Sequence, residues 1–269
     1  LWLNEGFATY YAWRWLEHLQ GDEYAAGRQR SRRRSALYNK HPMAPRGLSD
    51  MTRDSDNASV YVRGASVLFG LEKMLGRDMF DKAIRLYTDR HQFRLVETAD
   101  LRRAFEDVSG QHLGWYFDAY VHSAAFFSTE TKWSWDDGQL LVTFTSEEGP
   151  EIHAVVPVEI GLASGSVMRQ RAHLKGGVAH VSAALEQAPL WVAIDPDAEA
   201  IINWDQEQTT EAWIAQLKGS PSHAARWDAL DHLTDDDAAV EAVSALWNDE
   251  NAHDALRSKA ATTLGKIGS

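Results

Sequence analysis

The chain has 269 residues, of which 44% are hydrophobic and 25% charged, with no cysteine and a formal net charge of −12. That length predicts two or three globular domains, and no apolar run approaches a membrane span or a secretory leader. The lack of cysteine excludes disulfides and thiolate metal sites and fits the cytoplasm, while the acidic balance disfavours nucleic acid and anionic membranes as partners.

The first element opens on Leu1-Trp2-Leu3-Asn4-Glu5-Gly6-Phe7-Ala8. Asn4 sits where a helix cap belongs, and Phe7, Tyr10, Tyr11, Trp13 and Leu16 recur at helical spacing until Gly21 closes the run. A glutamate in a first turn is ordinarily a solvated residue favoured by the helix dipole. Here its small neighbours Gly6 and Ala8 would let the helix approach another closely. A second helix is predicted over 22–39, carrying Arg28, Arg30, Arg32, Arg33 and Arg34. Such a run is more often a solvated or salt-bridged face than a polyanion patch.

A loop through Pro42, Pro45 and Gly47 reaches about Asn57. The next helix holds Val60, Tyr61, Val67, Leu68, Leu71 and Leu75 and ends at Gly76; on pattern alone Tyr61 is one aromatic of its buried face. Asp78 is placed to cap a helix bearing Met79, Phe80, Ile84 and Tyr87, and two further helices are expected over Thr98 to Val108 and Leu113 to His122.

From Thr131 to Thr145 the period changes to alternation around Asp136-Asp137-Gly138, which predicts a hairpin. Alternating runs follow at His153 to Leu162, Val167 to Leu174, Val178 to Ala183 and Leu190 to Ile194, and together they predict a small β-sandwich. His153, His173 and His180 lie in these strands without metal-ligand spacing.

Helices return from Thr209, and Arg226 to Leu233 aligns with Arg257 to Leu264 at an offset of 31 residues. The second copy, running into Gly265-Lys266-Ile267-Gly268, resembles a HEAT repeat; two amphipathic helices sharing a pattern are the simpler alternative. Stacked helix pairs generally need about three repeats for stability, so this array is expected to be incomplete. The divisions are thus 1–126, 127–206 and 207–269, with net charges of +2, −8 and −6.

The opening word resembles the W-L-N-E-G-F-A signature of the aminopeptidase N family of zinc metallopeptidases. The resemblance implies that Glu5 is the third protein ligand of a zinc ion whose two histidines come from an H-E-x-x-H helix expected before Leu1. Two imidazoles one turn apart leave room for a carboxylate and a water, and the glutamate between them would serve as general base. Val60-Tyr61-Val62-Arg63-Gly64-Ala65 is similar to the family's Y-x-x-G-A segment, which makes Tyr61 the catalytic donor to the oxyanion; a phenol donates there while remaining neutral. Trp115-Tyr116-Phe117-Asp118-Ala119-Tyr120 looks like the segment that closes the catalytic domain. One departure is Ala12, where family members commonly carry an acid that supports a ligating histidine.

The resemblance implies a mixed multidomain chain: the α-helical part of a thermolysin-like catalytic domain, then a small β-sandwich, then the start of a HEAT-like α-solenoid. The expected function is that of a fragment of a zinc-dependent aminopeptidase that releases N-terminal residues from peptides with zinc-activated water. The substrate-amine motif G-x-M-E-N is absent, and the isolated chain is expected to hold zinc poorly and to be inactive. Peptides are the expected partners, with no nucleic acid or membrane, and the helical end offers a surface for a protein partner. The alternatives are a non-catalytic relative acting as a HEAT-type scaffold, for which Ala12 speaks, and a hydrolase of another small substrate such as a lipid epoxide.

Overall fold

The computed structural model describes residues 1–21, 32, 35–36, 42–44, 59–123, 127–146, 153–176 and 178–267. The helix predicted over 22–39 and the loop to Asn57 fall almost wholly outside them. Arg32 is the one described arginine of the basic run, and its guanidinium lies 4.2 Å from the centre of the Trp13 ring, a cation–π arrangement. The chain divides into two compact units, Leu1–Arg14 with Arg32–Phe127 and Trp15–Ser31 with Ser128–Ser269. No helix among the described residues is long and apolar enough to cross a membrane.

The first unit is helical. Helix α1 (Trp2–Gln20) buries Trp2, Gly6, Tyr10 and Trp13, spaced three and four residues apart as one helical face requires. It starts two residues before the expected cap, so Asn4 lies inside the first turn. Burial of Trp2, whose Nε1 donates to Thr98 Oγ1 at 3.0 Å, draws the start back to that residue. Gly21 ends the helix with φ +83°, a left-handed conformation that glycine adopts freely.

Helix α2 (Gly64–Leu75) is the centre of the unit, with every residue from Gly64 to Glu72 buried. Helix α3 (Arg77–His91) follows directly, and Asp78 stands in its first turn rather than at its cap, because Gly76 makes the turn with φ +85°. Helix α4 (Thr98–Ser109) opens with a capping box between Glu97 and Asp100 and packs Leu101, Ala104 and Phe105 inward. A short helix α5 (Gly114–Phe117) runs into a π-helical turn, Asp118–His122. Tyr116 of α5 donates its hydroxyl to the Val67 carbonyl at 2.8 Å and so ties the Trp115–Tyr120 segment to α2.

Tyr10, Phe80 and Phe105 form the aromatic core of this unit, with ring centroids 5.2 and 5.3 Å apart in sequence. At its edge the buried Glu72 carboxylate accepts from the Tyr10 hydroxyl at 2.5 Å and pairs with Arg77 at 3.3 Å and Arg14 at 3.5 Å. A buried carboxylate needs such partners, since desolvation otherwise neutralises it.

The second unit holds two sheets and the terminal helices. Strands β1 (Ser128–Asp136) and β2 (Gln139–Ser146) form the predicted hairpin about Asp137-Gly138, both with positive φ. They lie in a four-stranded sheet ordered β5-β2-β1-β7, where β5 is Ala179–Ala184 and β7 is Asn203–Gln206. The other sheet is ordered β4-β3-β6, with β3 at His153–Gly161, β4 at Val167–Lys175 and β6 at Trp191–Ile194. Strand β7 was not expected; it pairs in parallel with β1. His173 and His180 are exposed on their strands, and the His153 side chain lies outside the described residues.

Helices α6 (Thr210–Gly219) and α7 (His223–His232) are capped by Thr209 and Ser222, whose side chains accept from Ala212 and Ala225. A 3-10 turn (Asp237–Ala239), α8 (Val240–Asn248) and α9 (Asp254–Ile267) complete the chain. Leu217, Leu230, Leu233, Val243, Leu246 and Leu256 form their common core. The two aligned segments of sequence fall on α7 and α9, and Thr263 of α9 donates to the Leu230 carbonyl of α7 at 3.2 Å.

Candidate active site

Glu5 lies in the first turn of α1, partly exposed, with Asn4 Nδ2 donating to its Oε1 at 3.2 Å. Tyr61 lies in a five-residue π-helical turn, Ser59–Arg63, that leads into α2. Sequence periodicity places it in an ordinary helix; the structure gives it the wider turn, a form often found at functional sites. The Tyr61 side chain is 37% exposed. Hydrogen bonding to the Glu5 carboxylate, and next the negative charge of that group, raise the phenol pKa above its ordinary value. A phenol beside a carboxylate keeps its proton and remains a donor. The two residues singled out from separate motifs therefore meet at one point.

Backbone geometry brings them there. A Cβ built on Gly64 would stand 3.0 Å from Gly6 Cα, and one built on Gly6 would stand 3.1 Å from the Gly64 carbonyl carbon. α1 and α2 thus cross backbone against backbone, one residue after Glu5 and three after Tyr61.

Arg63 fixes the other side of the turn. It is 1% exposed and donates from Nε to the Tyr120 carbonyl at 3.0 Å and from a terminal nitrogen to Ser123 O at 3.1 Å. Desolvation lowers its pKa, but a guanidinium remains charged throughout the physiological range. Sequence reasoning gave Arg63 and Gly64 no role. The available signal was their position inside the Tyr61 motif, since nothing in the local pattern marks an arginine for burial.

Ala12 is exposed on α1. No group of three or more histidine, cysteine, aspartate or glutamate side chains among the described residues could hold a metal ion. A zinc site needs three or four such ligands. The described residues by themselves do not fit zinc; Glu5 supplies one carboxylate of the kind such a set uses.

Residues 1–120 match the peptidase family M1 domain. The chain is 31% identical to aminopeptidase 2 of Candida albicans over 133 residues, covering 47% of this chain and 14% of that protein. It is 34% identical to the tricorn protease-interacting factor F2 of Thermoplasma acidophilum over 122 residues, covering 41% and 15%. It is 28% identical to aminopeptidase N of Streptomyces lividans over 165 residues, covering 57% and 19%. The chain spans less than a fifth of the length of each of these relatives. Crystalline aminopeptidase A of Legionella pneumophila, solved in complex with aspartic acid, superposes on all of this chain and 32% of its own length with a TM-score of 0.70 at 14% identity, which is a likeness of fold. Residues 1–120, which carry both Glu5 and Tyr61, are thus similar to the peptidase family M1 domain.

Proposed function

We propose that the parent of this chain is a zinc-dependent aminopeptidase that hydrolyses the peptide bond after an N-terminal residue. The observation that carries the reading is the backbone crossing of α1 and α2 at Gly6 and Gly64, which brings a ligand-type carboxylate, Glu5, near a neutral donor, Tyr61, whose pKa that carboxylate raises. Glu5 is one metal ligand, completed by residues outside the described set. The zinc ion, when bound, supplies Lewis acidity that activates water. Tyr61 offers its proton to the carbonyl oxygen of the scissile bond as negative charge develops there, and the polar contacts of Arg63 hold its turn while it does so.

The names of the relatives support a peptidase over a non-catalytic scaffold. For the architecture we infer a helical part of the catalytic domain over 1–126, a β-sandwich over 127–206 made from the two sheets, and a HEAT-like helical domain over 207–269. The contact between α7 and α9 supports the last of these.

The test is hydrolysis of aminoacyl anilides by the complete parent protein loaded with zinc. Tyr61→Phe is expected to lower kcat by about 10²- to 10³-fold, the usual cost of losing one oxyanion donor, with zinc content unchanged. Glu5→Gln is expected to lower zinc content as well. Wild-type kcat in Tyr61→Phe would refute the assignment.

A further inference from the structure

We propose that Gly6 and Gly64 are positioning residues whose backbone contact sets the reach between Glu5 and Tyr61. The inference rests on the reading of Tyr61 as the oxyanion donor, and extends it to two residues that have no side chain.

Neither glycine is needed for its backbone conformation, since neither has a positive φ. Both lie in helices, Gly6 inside α1 and Gly64 at the head of α2, where glycine costs up to about 1 kcal/mol relative to alanine. What they permit is proximity. The Cβ positions fall at 3.0 to 3.2 Å from backbone atoms of the facing helix, and these atoms cannot swing aside as a side chain can. Relief to an ordinary contact, which begins near 3.4 Å, would part the helices by a few tenths of an ångström. A phenol–carboxylate hydrogen bond is at its best near 2.7 Å and is lost beyond about 3.5 Å. Since Glu5 adjoins one glycine and Tyr61 precedes the other by three residues, that separation falls directly on the bond. The Arg63 contacts to Tyr120 and Ser123 hold the π-helical turn from behind, so the turn does not follow Glu5 when α1 is displaced.

The test uses the 269-residue chain carrying ¹³Cζ-tyrosine. Tyr61→Phe identifies the Tyr61 resonance, and Glu5→Ala gives its position without the carboxylate. Gly64→Ala is expected to move the Tyr61 resonance measurably toward the Glu5→Ala position while Tyr10 and Tyr116 stay in place; Gly6→Ala, from the facing helix, is expected to do the same. A Tyr61 resonance left at its wild-type position in either folded variant overturns the proposal. Loss of all tyrosine resonances from their folded positions in both variants also overturns it, because the contact would then be a requirement for folding. In the zinc-loaded parent, Gly64→Ala is expected to lower kcat about tenfold with KM within about twofold, and to cost nothing more in a Tyr61→Phe background. An additive loss there overturns action through Tyr61. A moved resonance with unchanged kcat leaves the positioning intact and refutes the catalytic reading of Tyr61.

Discussion

Carboxylates are treated in opposite ways at two places in this chain, the interior of the second unit and the candidate site of the first. In the second unit Glu159 and Asp195 are 0% exposed and surrounded by donors. Glu159 receives Arg169 Nε at 2.8 Å and the Ser220 hydroxyl at 2.9 Å, while Asp195 accepts from the backbone of Glu199 and Ala200 and from Trp204 Nε1. In the first unit Glu5 stands partly exposed, taking hydrogen bonds from Asn4 and Tyr61. A carboxylate enclosed by donors has spent its lone pairs on the fold and has no capacity for a ligand. One held at the surface by a phenol and an amide can exchange those partners for others.

The largest expected effect breaks the comparison at its buried end. Glu159→Ala removes the acceptor of both Arg169 and Ser220, and the chain is expected to lose about 3 kcal/mol of stability, since truncating a buried pair leaves desolvated groups unpartnered. Arg169 is itself half-exposed, which keeps the cost toward the lower end of the range for such pairs. Urea unfolding measures it, and a loss below about 1 kcal/mol would show that Glu159 is not holding the junction of β3, β4 and the end of α6.

Neither kind of carboxylate can be recognised from charge pattern alone. Glu159 sits in Val158-Glu159-Ile160 like any outward residue of an alternating strand, and it is the packing of Ser220 after α6 that closes over it. Glu5 and Tyr61 were singled out because each lies inside a contiguous word whose neighbours matter as much as the residue itself. Their meeting was not, because it depends on two glycines and a π-helical turn that have no periodic signature. The Asp137-Gly138 hairpin was legible from local turn chemistry, whereas β7 is four residues long and exists through pairing with β1 some 75 positions away. Asn4 and Asp78 were misplaced as caps for a similar reason. Trp2 is fixed by a bond to Thr98 and the turn at Gly76 is set by a positive φ, and both outrank local capping preference.

An intermediate case, Glu72, sharpens the comparison through pH. Burial, and next the hydrogen bond to Glu72, raise the Tyr10 pKa far above that of an ordinary phenol. The folded state therefore keeps this proton where an unfolded tyrosine, with a pKa of about 10, loses it. The associated stability is complete below about pH 10 and declines as pH rises above it, by about 1.4 kcal/mol per pH unit for this group. Denaturation in urea at pH 10 to 11.5 should show that slope reduced in Tyr10→Phe relative to wild type, with the Tyr116 contribution common to both. Equal slopes would mean that neither burial nor Glu72 holds the Tyr10 proton in the folded state.

The smallest expected effect lies at Glu5. Glu5→Ala removes a favourable charge from the first turn of α1, worth about 0.3 to 1 kcal/mol, and gains about 0.4 kcal/mol of helix propensity. The exposed bond from Tyr61 is exchanged for one to water at little net cost. The balance is within about 0.5 kcal/mol of wild type in urea unfolding of the 269-residue chain. A cost near that of Glu159→Ala would make Glu5 a structural residue and remove the contrast. A cost near zero, in a residue whose neutralisation in the parent is expected to release zinc, separates a carboxylate retained for a ligand from one retained for the fold, because only the second is felt when no ligand is present.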